Sequence, residues 1–125
     1  MYPRLRIFDG SSVDTNIASI VSEKAAKSER VMVILDSNHT HEHVLGELNL
    51  YASLVSVGSY CVVFDTVIED LEGVEFVDRP WGKGDNPKTA VAEFLKTNSD
   101  FVVDQTIDEK LLMSAAPGGY LKRIK

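Results

Sequence analysis

The sequence is short of several features that define broad classes of protein. It has one cysteine, Cys61, so an intrachain disulfide is excluded, and a lone thiol fits a reducing compartment. No apolar run approaches the roughly 20 residues that a membrane-spanning helix needs. The N-terminal segment Met1–Arg6 lacks the apolar stretch of a signal peptide. These absences predict a cytoplasmic protein that does not enter a membrane.

Positive charge is also scarce. The 125 residues carry 13 Lys and Arg against 19 Asp and Glu, a formal net charge of −6. Nucleic-acid binding draws most of its affinity from a basic face, so nucleic acid is not an expected partner. Hydrophobic residues make up 44% of the chain, which excludes a disordered protein. The length predicts a single domain spanning residues 1–125.

The first half of the chain alternates between strand and helix patterns. Short apolar runs at Leu5–Phe8, Val31–Leu35 and Tyr60–Phe64 predict strands. Between them, residues at three- and four-residue spacings predict helices over 13–28 and 41–55. The uninterrupted apolar character of Val31–Leu35 is typical of a strand covered on both faces. Repeated strand–helix–strand units predict an α/β fold with a mostly parallel sheet and helices on both faces.

The second half is less regular. Asn86-Pro87 predicts a helix start, with Asn as the cap and Pro at the first helical position. Phe101–Asp104 is typical of a strand, and Leu111–Met113 of a further short strand or strand end. After the turn at Pro117-Gly118-Gly119, residues 119–124 form a final strand or a tail.

Three acidic residues follow predicted strands: Asp9, Asp36 and Asp65. Ligands of parallel α/β sheets bind beyond the carboxyl ends of the strands, which makes these aspartates candidate site residues. Aspartate is also a common helix cap and turn residue, and this structural interpretation stays open for each of them.

Several segments resemble the cephalosporin hydroxylase family, which is grouped with rhamnosyl O-methyltransferases. The similarity runs from Asp9-Gly10-Ser11-Ser12 through three further segments, which read VILDSNHTHEHV (33–44), LYASLVSVGSY (50–60) and PGGYLKRIK (117–125). The resemblance implies a Rossmann-like, S-adenosylmethionine-dependent methyltransferase fold. It also implies that the Gly-rich cofactor loop and the ribose-binding acid belong to an earlier part of the family domain. The chain therefore resembles a truncated domain, the C-terminal half only.

The resemblance assigns roles to particular residues. Asp9 and Asp36 match the cofactor side, and Asp36 and Asp65 match carboxylates of a Mg²⁺ site. The third carboxylate of that site, a Glu in the family, is Phe64 here, so only two of three remain. His39 matches an acid/base position, and Trp81 matches a loop near the substrate pocket. We expect neither S-adenosylmethionine nor Mg²⁺ to be retained with family-like affinity.

His39, His41 and His43 alternate at the predicted start of a helix. Three interpretations are open. The histidines are solvent-exposed side chains at the start of the helix, or one of them is a histidine retained from the family's substrate site, or they form a transition-metal site with Asp36 and Glu42. On a helix His39 and His43 would share a face, and His41 would point away. Cys61, inside a predicted buried strand, is interpreted as inert packing.

Loss of the first family strands predicts an exposed apolar edge on the strand at Val31–Leu35. Two ways of covering that edge are open: Leu5–Phe8 pairs with it, or a second copy does. We expect a compact sheet with the first strand moved beside the second, and a homodimer. The predicted function is a shortened methyltransferase-like domain without methyl transfer, which binds a small molecule, an ion or a protein. The alternative is a metal-dependent methyltransferase or hydroxylase-like enzyme whose cofactor half another chain supplies.

Overall fold

The computed structural model describes residues 4–125. Residues 1–3, which belong to the segment Met1–Arg6 discussed above as lacking a signal-peptide pattern, lie outside the described residues. Within that range the chain forms four α-helices, four strands and two short 3₁₀ helices. The α-helices are α1 (Thr15–Ala25), α2 (His41–Tyr51), α3 (Pro87–Thr97) and α4 (Gln105–Leu111). The strands are β1 (Val33–Leu35), β2 (Tyr60–Val63), β3 (Phe101–Val103) and β4 (Tyr120–Arg123), and the 3₁₀ helices are Ala52–Leu54 and Thr66–Asp70.

Side-chain caps fix where the helices begin. Asp14 accepts hydrogen bonds from the first-turn amides of α1, and Thr40 accepts one from the His43 amide in α2. Asn86 and Thr89 form a reciprocal capping box at α3, with Pro87 at the first helical position. These caps satisfy amide donors that have no partner inside the helix. The helix starts predicted at residue 41 and at Asn86-Pro87 are confirmed.

The sheet has the order β1-β2-β4-β3, and it is mixed rather than purely parallel. β1 and β2 are parallel, whereas β4 lies antiparallel to both β2 and β3. The predicted α/β class is therefore confirmed, and β4 is the strand that runs in the opposite direction. The cause is the turn that precedes β4, because the Val63 amide at the end of β2 donates to the Gly119 carbonyl. Since β4 starts where β2 ends, it must run back along β2.

Gly119 allows this turn to approach β2 closely. A Cβ atom at position 119 would lie 2.1 Å from the Val63 carbonyl oxygen, far inside van der Waals contact. Glycine is the residue that permits such an approach of one backbone to another.

The hydrophobic core lies between one face of the sheet and helices α1, α2 and α3. Its buried members include Ala18 of α1, Leu48 of α2 and Phe94 of α3, together with Cys61 and Leu121 of the sheet. The opposite face is covered less completely, because Ile34 is 55% and Val102 is 42% exposed. The expectation that β1 is covered on both faces is therefore wrong at Ile34. Within residues 4–125, β1 pairs only with β2 and forms the edge of the sheet.

Two predicted strands are absent from the described residues. Leu5–Phe8 is irregular and exposed, with Ile7 at 78%, and it does not pair with β1. Its apolar run is interrupted by Arg6, so a strand there would bury little. Leu111–Met113 is also not a strand: Asp104 caps a helix directly after β3, and that helix continues to Leu111. Leu112 and Met113 are 87% and 90% exposed.

No helix formed by residues 4–125 has both the length and the apolar character required to span a bilayer.

Candidate functional site

The carboxyl ends of β1 and β2 bring two predicted site residues together. Asp36 directly follows β1, and Asp65 follows Phe64 at the end of β2. Because the two strands are parallel neighbours, both ends meet at one edge of the sheet. His39, in the turn before α2, lies between the two carboxylates: its Nε2 is 3.1 Å from Asp65 Oδ2 and 3.7 Å from Asp36 Oδ1.

These three residues, here called the Asp36–His39–Asp65 cluster, are the group of potential metal ligands found among residues 4–125. One donor atom from each lies within 4.8 Å of the others. Asp65 and His39 have side chains that are 29% and 22% exposed, and Asp36 is more open at 58%. The cluster is thus accessible to a small solute from the Asp36 side.

Asp65 holds an unusual backbone conformation, with φ at +57° and ψ at 21°. Most residues with a Cβ avoid this left-handed region, although Asp and Asn tolerate it better than others. Such conformations persist where the surroundings impose them, and they are frequent at functional sites. Here it turns the chain from β2 into the 3₁₀ helix Thr66–Asp70.

Trp81 lies against His39, with 4.7 Å between the ring centroids and an angle of 53° between the planes. The Arg79 guanidinium carbon sits 5.4 Å from the Trp81 ring centroid, within the range of a cation–π contact. The structure therefore brings the sequence-predicted Trp81 next to the cluster and adds Arg79, which the sequence analysis did not single out.

Hydrogen bonds anchor the loop that carries Trp81. Glu69 accepts from the Gly84 amide at 2.8 Å and from the Asn86 side chain, and these bonds hold the pKa of Glu69 below its ordinary value. Between these two residues, Asp85 accepts a 2.7 Å bond from the His41 amide at the start of α2. The C-terminal end of the loop is thus fastened both to the 3₁₀ helix Thr66–Asp70 and to α2.

The three histidines do not converge on one site. The His41 ring contacts Thr89 and Glu93 of α3, at 2.8 Å and 2.9 Å. The His43 ring instead lies 3.0 Å from the Ser12 hydroxyl and 3.2 Å from that of Ser37. The interpretation of a site shared by His39 and His43 is therefore wrong, because His39 precedes the helix rather than lying on its face.

The donor set of the cluster decides which ion it suits. Mg²⁺ prefers oxygen ligands only, whereas imidazole suits first-row transition ions. Ligand atoms in neighbouring positions around an octahedral ion lie about 3 Å apart when each is about 2.1 Å from the metal. The spacing of 3.1 Å and 3.7 Å from His39 to the carboxylates fits that arrangement. The side chains thus fit a Mn²⁺-like ion better than Mg²⁺.

The turns that follow β1, β2 and β3 in residues 4–125 contain no glycine near the strand end, so none of them has the Gly-rich pattern of a nucleotide-binding loop. Asp9, predicted on the cofactor side, lies in an exposed segment without regular structure. Phe64, at the position where the family has Glu, is half-buried and supplies no ligand atom.

Cys61 is fully buried in β2, and burial together with the negative charge of Glu47 raises its pKa to about 12. A thiol in this state is neutral near pH 7 and unreactive. This agrees with its interpretation as packing.

Sequence analysis missed Glu47, a carboxylate that is only 2% exposed. A signal was available, because Glu47 lies three residues after Val44 and four before Tyr51, and both of those are buried. That spacing places an acid within the buried stripe of α2.

Comparisons with known proteins identify the family of the chain. The profile of the Rhamnosyl O-methyltransferase/CmcI family matches residues 1–124. Rhamnosyl O-methyltransferases of Mycobacterium tuberculosis (strain H37Rv) and Mycobacterium bovis (strain BCG / Pasteur 1173P2) are each 30% identical to the chain over 123 residues. The match covers 97% of this chain and 48% of each relative, so the chain spans about half of their length. No solved structure matches it significantly. On the strength of the profile match, the chain belongs to the Rhamnosyl O-methyltransferase/CmcI family.

Proposed function

We propose that this chain is a shortened methyltransferase-like domain that binds a divalent cation at the Asp36–His39–Asp65 cluster and does not transfer methyl groups by itself. The convergence of one imidazole and two carboxylates within 4.8 Å carries the proposal. Two strand ends and a capped helix start hold these groups, so a bound ion would find them largely in place. Trp81 and Arg79 line the approach to the cluster.

The absence of methyl transfer is supported by what the chain supplies. Its strand-end turns lack a Gly-rich loop, and the match covers 48% of the relatives' length. These relatives are named rhamnosyl O-methyltransferases, and methyl transfer by this chain alone would need a cofactor site of its own.

Cation selectivity tests the proposal. Calorimetric titration should show Mn²⁺ and Zn²⁺ binding about ten-fold or more tightly than Mg²⁺, because the imidazole favours transition ions. The chain has a single tryptophan, so the fluorescence of Trp81 gives a second readout beside His39. A paramagnetic ion bound at His39 should quench it. Equal affinity for Mg²⁺ and Mn²⁺, or binding without any change at Trp81, would contradict this site.

A second candidate is an enzyme whose cofactor-binding half comes from another polypeptide. The open edge of β1 favours it, because an unpaired strand edge is a template for a further strand. In that case S-adenosylmethionine should bind only after the second polypeptide is added. The unmatched half of the mycobacterial relative is a suitable polypeptide for this experiment.

Self-association through β1 is a further part of the proposal. Met32 and Ile34, at this edge, are 56% and 55% exposed, and pairing of two copies would bury both. Light scattering at micromolar concentration should give the mass of two chains, and Ile34→Lys should give that of one. Ile7→Lys, at a 78% exposed position outside the sheet, is the matched control and should stay dimeric. A one-chain mass for the unmodified protein would exclude the dimer.

A further inference from the structure

A cavity of about 430 Å³ lies between the edge strand and the first two helices. Most of its wall is apolar and comes from Val21 of α1, from residues 32–35 in and beside β1, and from the Tyr51 ring of α2. Its polar lining comes from Ser12, Asp36, Ser37 and Glu47. A mainly apolar wall with a few polar groups is typical of small-molecule sites, which enclose roughly 300–1,000 Å³.

Glu47 is the unusual member of this lining. Its Oε1 accepts a 2.7 Å hydrogen bond from the Ser37 hydroxyl, and His43 Nε2 lies 3.6 Å from the same oxygen. Its Oε2 is buried and has no hydrogen-bond partner among residues 4–125. A buried carboxylate oxygen without a donor is costly, by about 1–3 kcal/mol or more when it is charged.

The neighbouring donors are already engaged. The Ser12 and Ser37 hydroxyls and His43 Nε2 lie within 3.0 to 3.4 Å of one another. The Tyr51 hydroxyl donates at 2.5 Å to the Ser12 carbonyl. A molecule that enters the cavity can supply the donor that Oε2 lacks among residues 4–125.

We propose that this cavity binds a small apolar molecule that carries one protonated primary amine. The ammonium group donates to Glu47 Oε2, and the hydrocarbon part packs against the wall formed by Val21, Val33 and Leu35. An amine fits better than an alcohol because it supplies both a donor and the opposite charge. Asp36 at the rim adds a second negative charge, which disfavours anions.

This site adjoins the proposed cation site, and Asp36 belongs to both. Glu47, on which amine binding depends, is not among the three residues of the Asp36–His39–Asp65 cluster, and it lies near Cys61 on the core face of the sheet. Met32 and Ile34 also line the cavity, so pairing of two copies at the β1 edge would cover part of its wall. Cation binding and amine binding are measured separately, so failure of one is distinguishable from failure of the other.

Benzylamine and its neutral counterpart benzyl alcohol test the proposal on the full chain in metal-free buffer. Saturable binding, followed by NMR shifts of residues 32–37 and 47, should be about ten-fold or more tighter for benzylamine, which is the ratio expected for one charge-assisted hydrogen bond. Glu47→Gln should remove that preference. Glu23→Gln, an exposed acid on α1, is the matched control and should leave it unchanged.

Two further variants distinguish amine binding in the cavity from cation binding at the cluster. Asp65→Asn should bind benzylamine as the unmodified chain does, since it alters only the cluster. Val21→Phe, which fills the cavity from α1, should abolish binding, and it replaces Glu47→Gln if that variant does not fold. Equal binding of benzyl alcohol, no saturable binding of benzylamine, or unchanged binding in folded Glu47→Gln or Val21→Phe would overturn the proposal.

Discussion

Replacing Asp65 with asparagine is expected to weaken Mn²⁺ binding by about 100-fold or more, since even the groups that only orient metal ligands contribute about 10- to 100-fold. Asp65 Oδ2 lies 3.1 Å from His39 Nε2 and provides one of the two carboxylates of the cluster. Asparagine keeps the size of the side chain and also tolerates the positive φ of position 65, so the fold should persist. Calorimetry measures the affinity for Mn²⁺, and circular dichroism of the same sample shows whether the fold persists.

Glu93→Gln is the matched control for this prediction. Glu93 is also a carboxylate paired with a histidine, since its Oε2 lies 2.9 Å from His41 Nε2, but it is not part of the cluster. Its replacement should leave Mn²⁺ affinity unchanged. If Asp65→Asn and Glu93→Gln bind Mn²⁺ equally well, the ion does not occupy the cluster.

Replacing Gly119 with alanine is expected to cause the largest loss of stability among single methyl additions in this chain. The added Cβ would stand 2.1 Å from the Val63 carbonyl oxygen, and backbone cannot yield as a flexible side chain can. We expect the free energy of unfolding to fall by about 3 kcal/mol, at the upper end of the usual cost of overpacking. Urea unfolding followed by circular dichroism measures the change.

Gly82→Ala tests whether the loss at Gly119 is steric. A Cβ at position 82 meets nothing within 4 Å, and that glycine has no positive φ. Its unfolding free energy should change by less than about 0.5 kcal/mol, as is usual for surface positions. A loss at Gly119 no larger than that at Gly82 would mean that the turn moves freely away from β2.

The parts of the fold that the sequence predicts well are those with local causes. The start of α3 follows from Asn86 and Pro87, because both the cap and the fixed φ act within one turn. The direction of β4 depends on a contact between Gly119 and Val63, which are far apart in sequence. A local pattern carries no information on such a contact, and the direction of β4 was therefore left open by the sequence.

The same difference between local and long-range causes applies to the residues of the candidate site. Asp36 and Asp65 were predictable because each follows a strand, and parallel strands bring their carboxyl ends together. His39 was selected by resemblance, and its contact with both carboxylates emerges only from the fold. Glu47 was missed because a single acid within a helix is usually solvated.

We infer that the chain holds a cation site and lacks a site for S-adenosylmethionine. Both parts of this inference are measured by titrating S-adenosylmethionine into the purified chain, with and without saturating Mn²⁺. We expect heat from Mn²⁺ and none from S-adenosylmethionine in either condition. Micromolar binding of S-adenosylmethionine to this chain alone would overturn the inference.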